Sequence, residues 1–294
     1  MKKIFCFVTL MLCVAMLACG CGSKQDDTPL NTTPSSPNTL STEPVETTQE
    51  TIPEPVYEKQ TVYLCTEEKQ TLHENDAVSV RYNSYDEYGR KIESWVQKPD
   101  GSKGIATTFI YDESGNNILE TSTYGHYERT YDDAGRMLSQ LYYSGDECTS
   151  EYYYTYNEDG YLTERKEISR YSQEKVYLYQ INYGADYSSA VIDSFCDGEK
   201  TGYTEEAYNE AGQVTHYINY DAQGEWTSSC ESTYDSQGRL QQEYKKFRRD
   251  TQPNYKIIYT YDENGMLLSK NADYYYGQIV EYTYEAFEIL VKVN

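Results

Sequence analysis

Aromatic and polar side chains alternate along most of this chain beyond residue 60. Tyr152, Tyr154 and Tyr156 stand two apart, as do Tyr259 and Tyr261, and Tyr282 and Tyr284, with Thr155, Thr260 and Thr283 falling between them. A period of two is that of a β-strand with one face shielded. Each such run ends in Tyr, then Asp or Asn, two variable residues and Gly. The triads are Tyr85, Asp86 and Gly89; Tyr111, Asp112 and Gly115; Tyr131, Asp132 and Gly135; Tyr156, Asn157 and Gly160; Tyr208, Asn209 and Gly212; Tyr234, Asp235 and Gly238; and Tyr261, Asp262 and Gly265. In this order the Asp or Asn side chain accepts backbone N–H groups just ahead of it, and Gly supplies the positive φ that closes a type I turn as a bulged hairpin. Two residues past the Gly an apolar side chain returns at Met137, Leu162, Val214, Leu240 and Leu267, with Lys91 and Asn117 as exceptions.

With a worn copy admitted at Tyr183-Gly184-Ala185-Asp186, the motif repeats about every 25 residues, and Tyr284 opens a last, truncated copy. Half a period later comes a second, looser turn: Asp100-Gly101, Gly145-Asp146, Asp197-Gly198, Asp221 through Gly224, and Gly277. The motif match at Tyr220 belongs to this second set. Two turns per unit give two strands of about eight residues, hence roughly 17 strands in about nine units. The expected fold is all-β: tandem β-hairpin repeats forming a long, twisted antiparallel meander over residues 61–294, as an open curved sheet or a partial β-spiral shell.

The start of the chain has another character. Lys2 and Lys3 precede an uncharged, mostly apolar run from Ile4 to Ala18, then Cys19-Gly20-Cys21. This reads as a secretory signal over residues 1–20, too short for a permanent membrane helix. It resembles a bacterial lipoprotein signal, which implies lipidation at Cys21, with Cys19 as the alternative, and an exported protein held at the extracellular face of the cell membrane. Residues 21–60 are rich in Thr, Ser, Pro and Glu and cannot offset the entropy of folding, so they are expected to form a disordered tether. Such a segment averages about 30 to 35 Å end to end as a flexible coil.

Charge excludes one class of partner. The chain carries 25 basic and 48 acidic residues, a net charge of −23, and such a field repels nucleic acid. Cys65, Cys148, Cys196 and Cys230 have spacings that match neither each other nor a metal motif, so isolated thiols or a single disulfide are expected.

The five Tyr-Asp copies, each with its Gly, resemble the YD-repeat family over about residues 61–294; that family includes wall-associated bacterial proteins, Rhs-type toxin shells and the animal teneurins. The resemblance implies strands wound as a spiralling sheet that can close into a hollow shell around a toxin. About nine units are too few for such a shell, and the repeats run on to the last residues, so an open sheet without cargo is expected. Asn157 and Asn209 are mild variants, and the copy at Tyr183 departs from the pattern.

No HExxH, GxSxG, CxxC, Walker or dinucleotide signature occurs, and His73, His126 and His216 lie far apart, so no enzyme and no cofactor are expected. Acidic turns such as Asn157-Glu158-Asp159-Gly160 lack calcium-loop spacing and read as turn caps, with no metal site. The motif tyrosines read as scaffold. Outward aromatics, Trp95 and Trp226 first, are the candidate ligand contacts. The function expected is a lipid-anchored surface protein contacting an extracellular glycan or protein; the alternative is a structural spacer or a protective, sequestering shell.

Overall fold

The computed structural model describes residues 56–98, 100–249, 252–274 and 277–293. Cys19, Cys21, the signal and most of the tether lie outside the described residues. The rest form eighteen strands. The first nine are β1 (Val56–Leu72), β2 (Val78–Tyr85), β3 (Lys91–Gln97), β4 (Lys103–Tyr111), β5 (Asn117–Ser122), β6 (Gly125–Tyr131), β7 (Met137–Ser144), β8 (Glu147–Tyr156) and β9 (Leu162–Ser169). The second nine are β10 (Lys175–Tyr183), β11 (Ser189–Cys196), β12 (Glu199–Tyr208), β13 (Val214–Asp221), β14 (Trp226–Tyr234), β15 (Leu240–Phe247), β16 (Tyr255–Tyr261), β17 (Leu267–Asp273) and β18 (Gln278–Val293). β1 takes in residues 56–60, which composition places with the tether.

Each strand pairs antiparallel with the next, from β1 and β2 through β9 and β10 to β17 and β18. β1 then pairs with β18 from Val56↔Val293 to Leu72↔Gln278, interrupted by one bulge between Cys65 and Glu67. That ladder closes the ring. The open curved sheet or partial spiral expected from sequence is therefore corrected to a closed, up-and-down barrel, and about nine units do suffice for closure. The physical reason lies in the ends. Twist accumulated strand by strand brings first and last strands together, and their pairing satisfies backbone groups that an open edge would leave unmade. No charged or irregular edge is needed for protection.

Eighteen strands at about 4.8 Å spacing make a wall about 86 Å round before tilt, and so about 27 Å across or more if circular. Among the described residues each strand has backbone neighbours only in the two strands beside it. Few side chains are buried, chiefly Ala190, Ile192, Cys230, Ile257 and Ala272 among apolar ones. The wall is thin, and its packing runs around the ring rather than through a dry centre.

Alternation sorts the two faces of the wall. Ahead of the turns at Tyr111, Tyr131, Tyr156 and Tyr261, and before Tyr284, the positions in phase with the motif Tyr are shielded and those between them exposed, as in Thr108, Thr130, Thr155, Lys256, Thr260, Glu281 and Thr283. Side chains converge on the concave side of a curved wall, so the motif tyrosines line the interior. β1 and β18 run on past the rim of motif turns as a paired ribbon. It leans on the first turn: Leu290 N–H donates to the Glu87 carbonyl at 2.7 Å, and Tyr57 packs on Tyr88 at 5.7 Å between ring centroids.

Candidate functional site

The motif turns sit side by side on one rim, and each is locked twice. In the backbone, Asp86 N–H donates to the Arg90 carbonyl and Gly89 N–H to the Asp86 carbonyl; the same pair of bonds recurs at Asp112, Asp132, Asn157, Asn209, Asp235 and Asp262. The seven motif glycines have φ between 75° and 88°, the left-handed region where a Cβ is costly. In the side chains, Asp86 Oδ1 accepts the N–H groups of Tyr88 and Arg90 at 2.9 Å each. Asn157 and Asn209 accept in the same way, from Tyr161 and from Ala211 and Gln213.

The motif tyrosine ties one repeat to the one before. Its hydroxyl donates to the backbone carbonyl two residues past the preceding Gly: Tyr111 to Lys91, Tyr131 to Asn117, Tyr156 to Met137, Tyr234 to Val214, Tyr261 to Leu240 and Tyr284 to Leu267, at 2.8 to 3.0 Å. Tyr85 reaches Cys65 similarly. Sequence reading missed a third part, the Arg that follows Gly in three copies. Arg90, Arg136 and Arg239 pair with Asp86, Asp132 and Asp235 of their own turn at 2.6 to 2.7 Å. Each guanidinium also stands 4.8 to 5.0 Å from the ring centroid of the next motif tyrosine, Tyr111, Tyr156 or Tyr261. The signal was in the chain, as Tyr-Asp-x-x-Gly-Arg.

These turns should confer acid sensitivity. The Asn116 side chain holds the Asp112 carboxyl below its ordinary value, and the backbone N–H groups of Arg136 and Arg239 do the same for Asp132 and Asp235. A carboxylate depressed in the folded state stabilises the fold above its unfolded value and ceases to as pH falls through the folded one. Asp132→Asn keeps the accepting oxygen but cannot titrate. Its denaturant midpoint should fall less than the parent's between about pH 5 and about pH 2; an equal fall contradicts the assignment.

The interior wall is phenolic but not apolar. Arg165 sits between Tyr154 and Tyr179 across both ladders, 4.2 Å from the Tyr179 ring centroid. Arg129 reaches Glu120 at 2.7 Å. Tyr259 donates to Glu243 at 2.6 Å, and Tyr208 donates to Glu206. Burial pushes the carboxyls of Glu167 and Glu206 up, and pushes the Tyr152 hydroxyl up to about 12. The phenols are therefore neutral donors at physiological pH. Arg165 Nε and Asn83 Oδ1 are buried without a hydrogen-bond partner, which leaves polar capacity on this wall for an added group.

One turn on this rim is built from different residues. At the worn copy the backbone closes one residue later, with Gly184 N–H donating to the Ser189 carbonyl and Tyr187 N–H to the Gly184 carbonyl. Tyr187 stands where every other copy has Gly, at φ 57°, a conformation that costs a side-chain-bearing residue roughly 1–2 kcal/mol. Its ring stacks on Tyr161 at 4.3 Å and 18°, and its hydroxyl donates to Asp159 at 2.8 Å. Tyr161 in turn occupies the position after Gly that holds Arg in three other copies. A groove of about 500 Å³ adjoins this turn, lined among others by Asn182, Tyr183, Gly184, Glu205, Glu206 and His216.

The other candidates are scattered. Trp95 is half-buried, stacked on Tyr82 at 5.8 Å and covered by Lys103 Nζ at 4.0 Å. Trp226 is 41% exposed at the opposite rim. Tyr220 also lies towards that rim, where Asp221 and Gly224 repeat the motif's backbone bonds. His126 stacks on Tyr143, His73 approaches the Tyr274 carbonyl, and His216 lines the groove. The four described cysteines are free thiols on separate strands. Asp262 caps its own turn through the N–H groups of Asn264 and Met266.

No protein-family model matches the chain, and no curated protein matches it. Among solved structures the chain is similar to a porin-like protein from Bacteroides uniformis ATCC 8492, with 15% identity and a TM-score of 0.43 over 75% of this chain and 96% of that one. It is similar to a porin-like protein from Bacteroides vulgatus ATCC 8482, with 10% identity and a TM-score of 0.35 over 75% and 98%. The TcdB2-TccC3-TEV crystal structure matches with 14% identity and a TM-score of 0.20, over 68% of this chain and 14% of that one. A lipid-spanning barrel needs an outward apolar band. Here the exposed face mixes Glu128, Glu231, Lys256, Glu281 and threonines with apolar side chains such as Ile105, Ile110, Leu138, Val191, Ile258 and Leu268, and the interior carries Arg129, Arg165, Glu167 and Glu206.

Proposed function

We propose that this chain is an exported, lipid-tethered member of the YD-repeat class whose barrel stands in water outside the cell and binds an extracellular glycan. Supporting this reading above all is the interior wall, where phenol rings alternate with guanidinium and carboxyl groups, the mixture that stacks on sugar rings and hydrogen-bonds their hydroxyls. The tether joins the barrel at Val56, on the side of the motif turns. A lipid on Cys21 would then hold that rim towards the membrane, leaving the second-turn rim outermost. Surface charges keep the barrel itself out of the bilayer.

The test uses the chain from Gly22 onward, without signal or lipid. It should remain in the aqueous phase on detergent phase separation and retain at least one polysaccharide from a panel of neutral, amino and acidic glycans. Entry into the detergent phase contradicts a water-immersed barrel, and failure to bind the whole panel contradicts the glycan reading. The closed ring favours a second reading, an enclosing shell, which the same preparation distinguishes by carrying a stoichiometric polypeptide in place of sugar.

A further inference from the structure

The geometry points to the worn repeat as a binding site for a neutral pyranose oligosaccharide, with the Tyr161–Tyr187 stack as its platform; this rests on the glycan reading above. Two positions that serve the scaffold elsewhere are given over to tyrosine here. Tyr161 stands at the position after Gly that holds Arg in three copies, here beside Asn157 rather than a turn carboxylate, and Tyr187 replaces the Gly that the turn needs, at φ 57°. Neither change helps the hairpin close. Strain held at one copy of a repeat whose other copies avoid it is the kind of outlier that accompanies function. Together the two rings make a stacked pair at 4.3 Å, pinned by the Tyr187 hydroxyl on Asp159 and flanked by Tyr183 at 5.4 Å from Tyr161. Tyr161 keeps 40% of its surface open.

The groove beside it makes this more than a patch. Tyr183 belongs to both the ring cluster and the groove lining, and the groove's volume of about 500 Å³ lies within the ~300–1,000 Å³ typical of small-ligand sites. Glu206, on the same face as Tyr183, lines it and offers a carboxyl partner for sugar hydroxyls, while Asn182 and Glu205 line it from the exposed face. Charge selects the class. With Asp159 on the Tyr187 hydroxyl and a net charge of −23 on the chain, uronic or sulfated sugars are repelled, whereas a neutral pyranose presents C–H faces to the rings and hydroxyls to Asp159.

The experiment restores the common repeat. Tyr161→Arg with Tyr187→Gly, made in the chain from Gly22 onward, should unfold at the same or higher denaturant than the parent. By calorimetry with cellohexaose, maltohexaose and chitohexaose, it should bind the parent's preferred hexaose at least tenfold more weakly. Tyr161→Leu leaves the turn intact and carries the same expectation, so a misfolded double variant does not shield the proposal. Variants that bind as the parent does overturn this site and leave the general glycan reading standing. A parent that binds no hexaose overturns the site, and one that also fails the wider panel overturns both. Tighter binding of polygalacturonate than of any neutral hexaose overturns the neutral class.

Discussion

Adding one methyl group at Gly125 or Gly202 should destabilise this barrel more than almost any other single-atom change. A Cβ on Gly202 would stand 2.2 Å from the Tyr220 carbonyl oxygen, and one on Gly125 would stand 1.9 Å from the Tyr143 carbonyl oxygen with φ at 154°. Both obstacles are backbone, held by the β12–β13 and β6–β7 ladders, so neither yields by a rotamer change. The chain must break ladder bonds to admit the methyl, at a cost of about 3 kcal/mol or more. Gly198 separates this steric effect from backbone conformation: it has φ 84° with nothing within 4 Å of its Cβ position. Gly198→Ala should therefore cost only about 1–2 kcal/mol. Urea midpoints measure all three, and equal losses at the three sites would refute the close approach of neighbouring strands.

Removing β18 should have the second large effect. Without residues 278–294 the ladder from Val56↔Val293 to Leu72↔Gln278 is lost, and β1 and β17 become open edges. β17 and β1 would expose unpaired N–H and C=O groups along their whole edges, with Tyr57 and Tyr63 on β1, which is the recognised route to edge-to-edge association. The truncated chain should appear as aggregates in size-exclusion chromatography and lose its cooperative unfolding transition. A monomeric, cooperatively folding product would mean that the sheet is stable open.

The local parts of this architecture were legible because they are written locally. Strand period, the Asp or Asn cap and the glycine φ each depend on residues within a few positions, and Tyr152, Tyr154 and Tyr156 fall inside as alternation requires. Closure was not legible. It joins Lys59 to Glu288, 229 positions apart, and no pattern within either strand announces the pairing; only their length, 17 and 16 residues, sets them apart. The site shows the same division. Sequence does not reveal that Lys103 lies over Trp95. Tyr187 passed as wear in the repeat, since its meaning appears only when its φ is seen to match that of the glycines it replaces.

Closure itself is best tested by zero-length carbodiimide cross-linking of the monomer followed by peptide mapping. Lys59 Nζ lies 3.1 Å from Glu288 Oε2, and Lys69 Nζ lies 2.8 Å from Glu281 Oε2. The closed barrel predicts amide links at both pairs, joining first strand to last within one chain. Cross-links confined to neighbouring hairpins, with neither of these two formed, would contradict it.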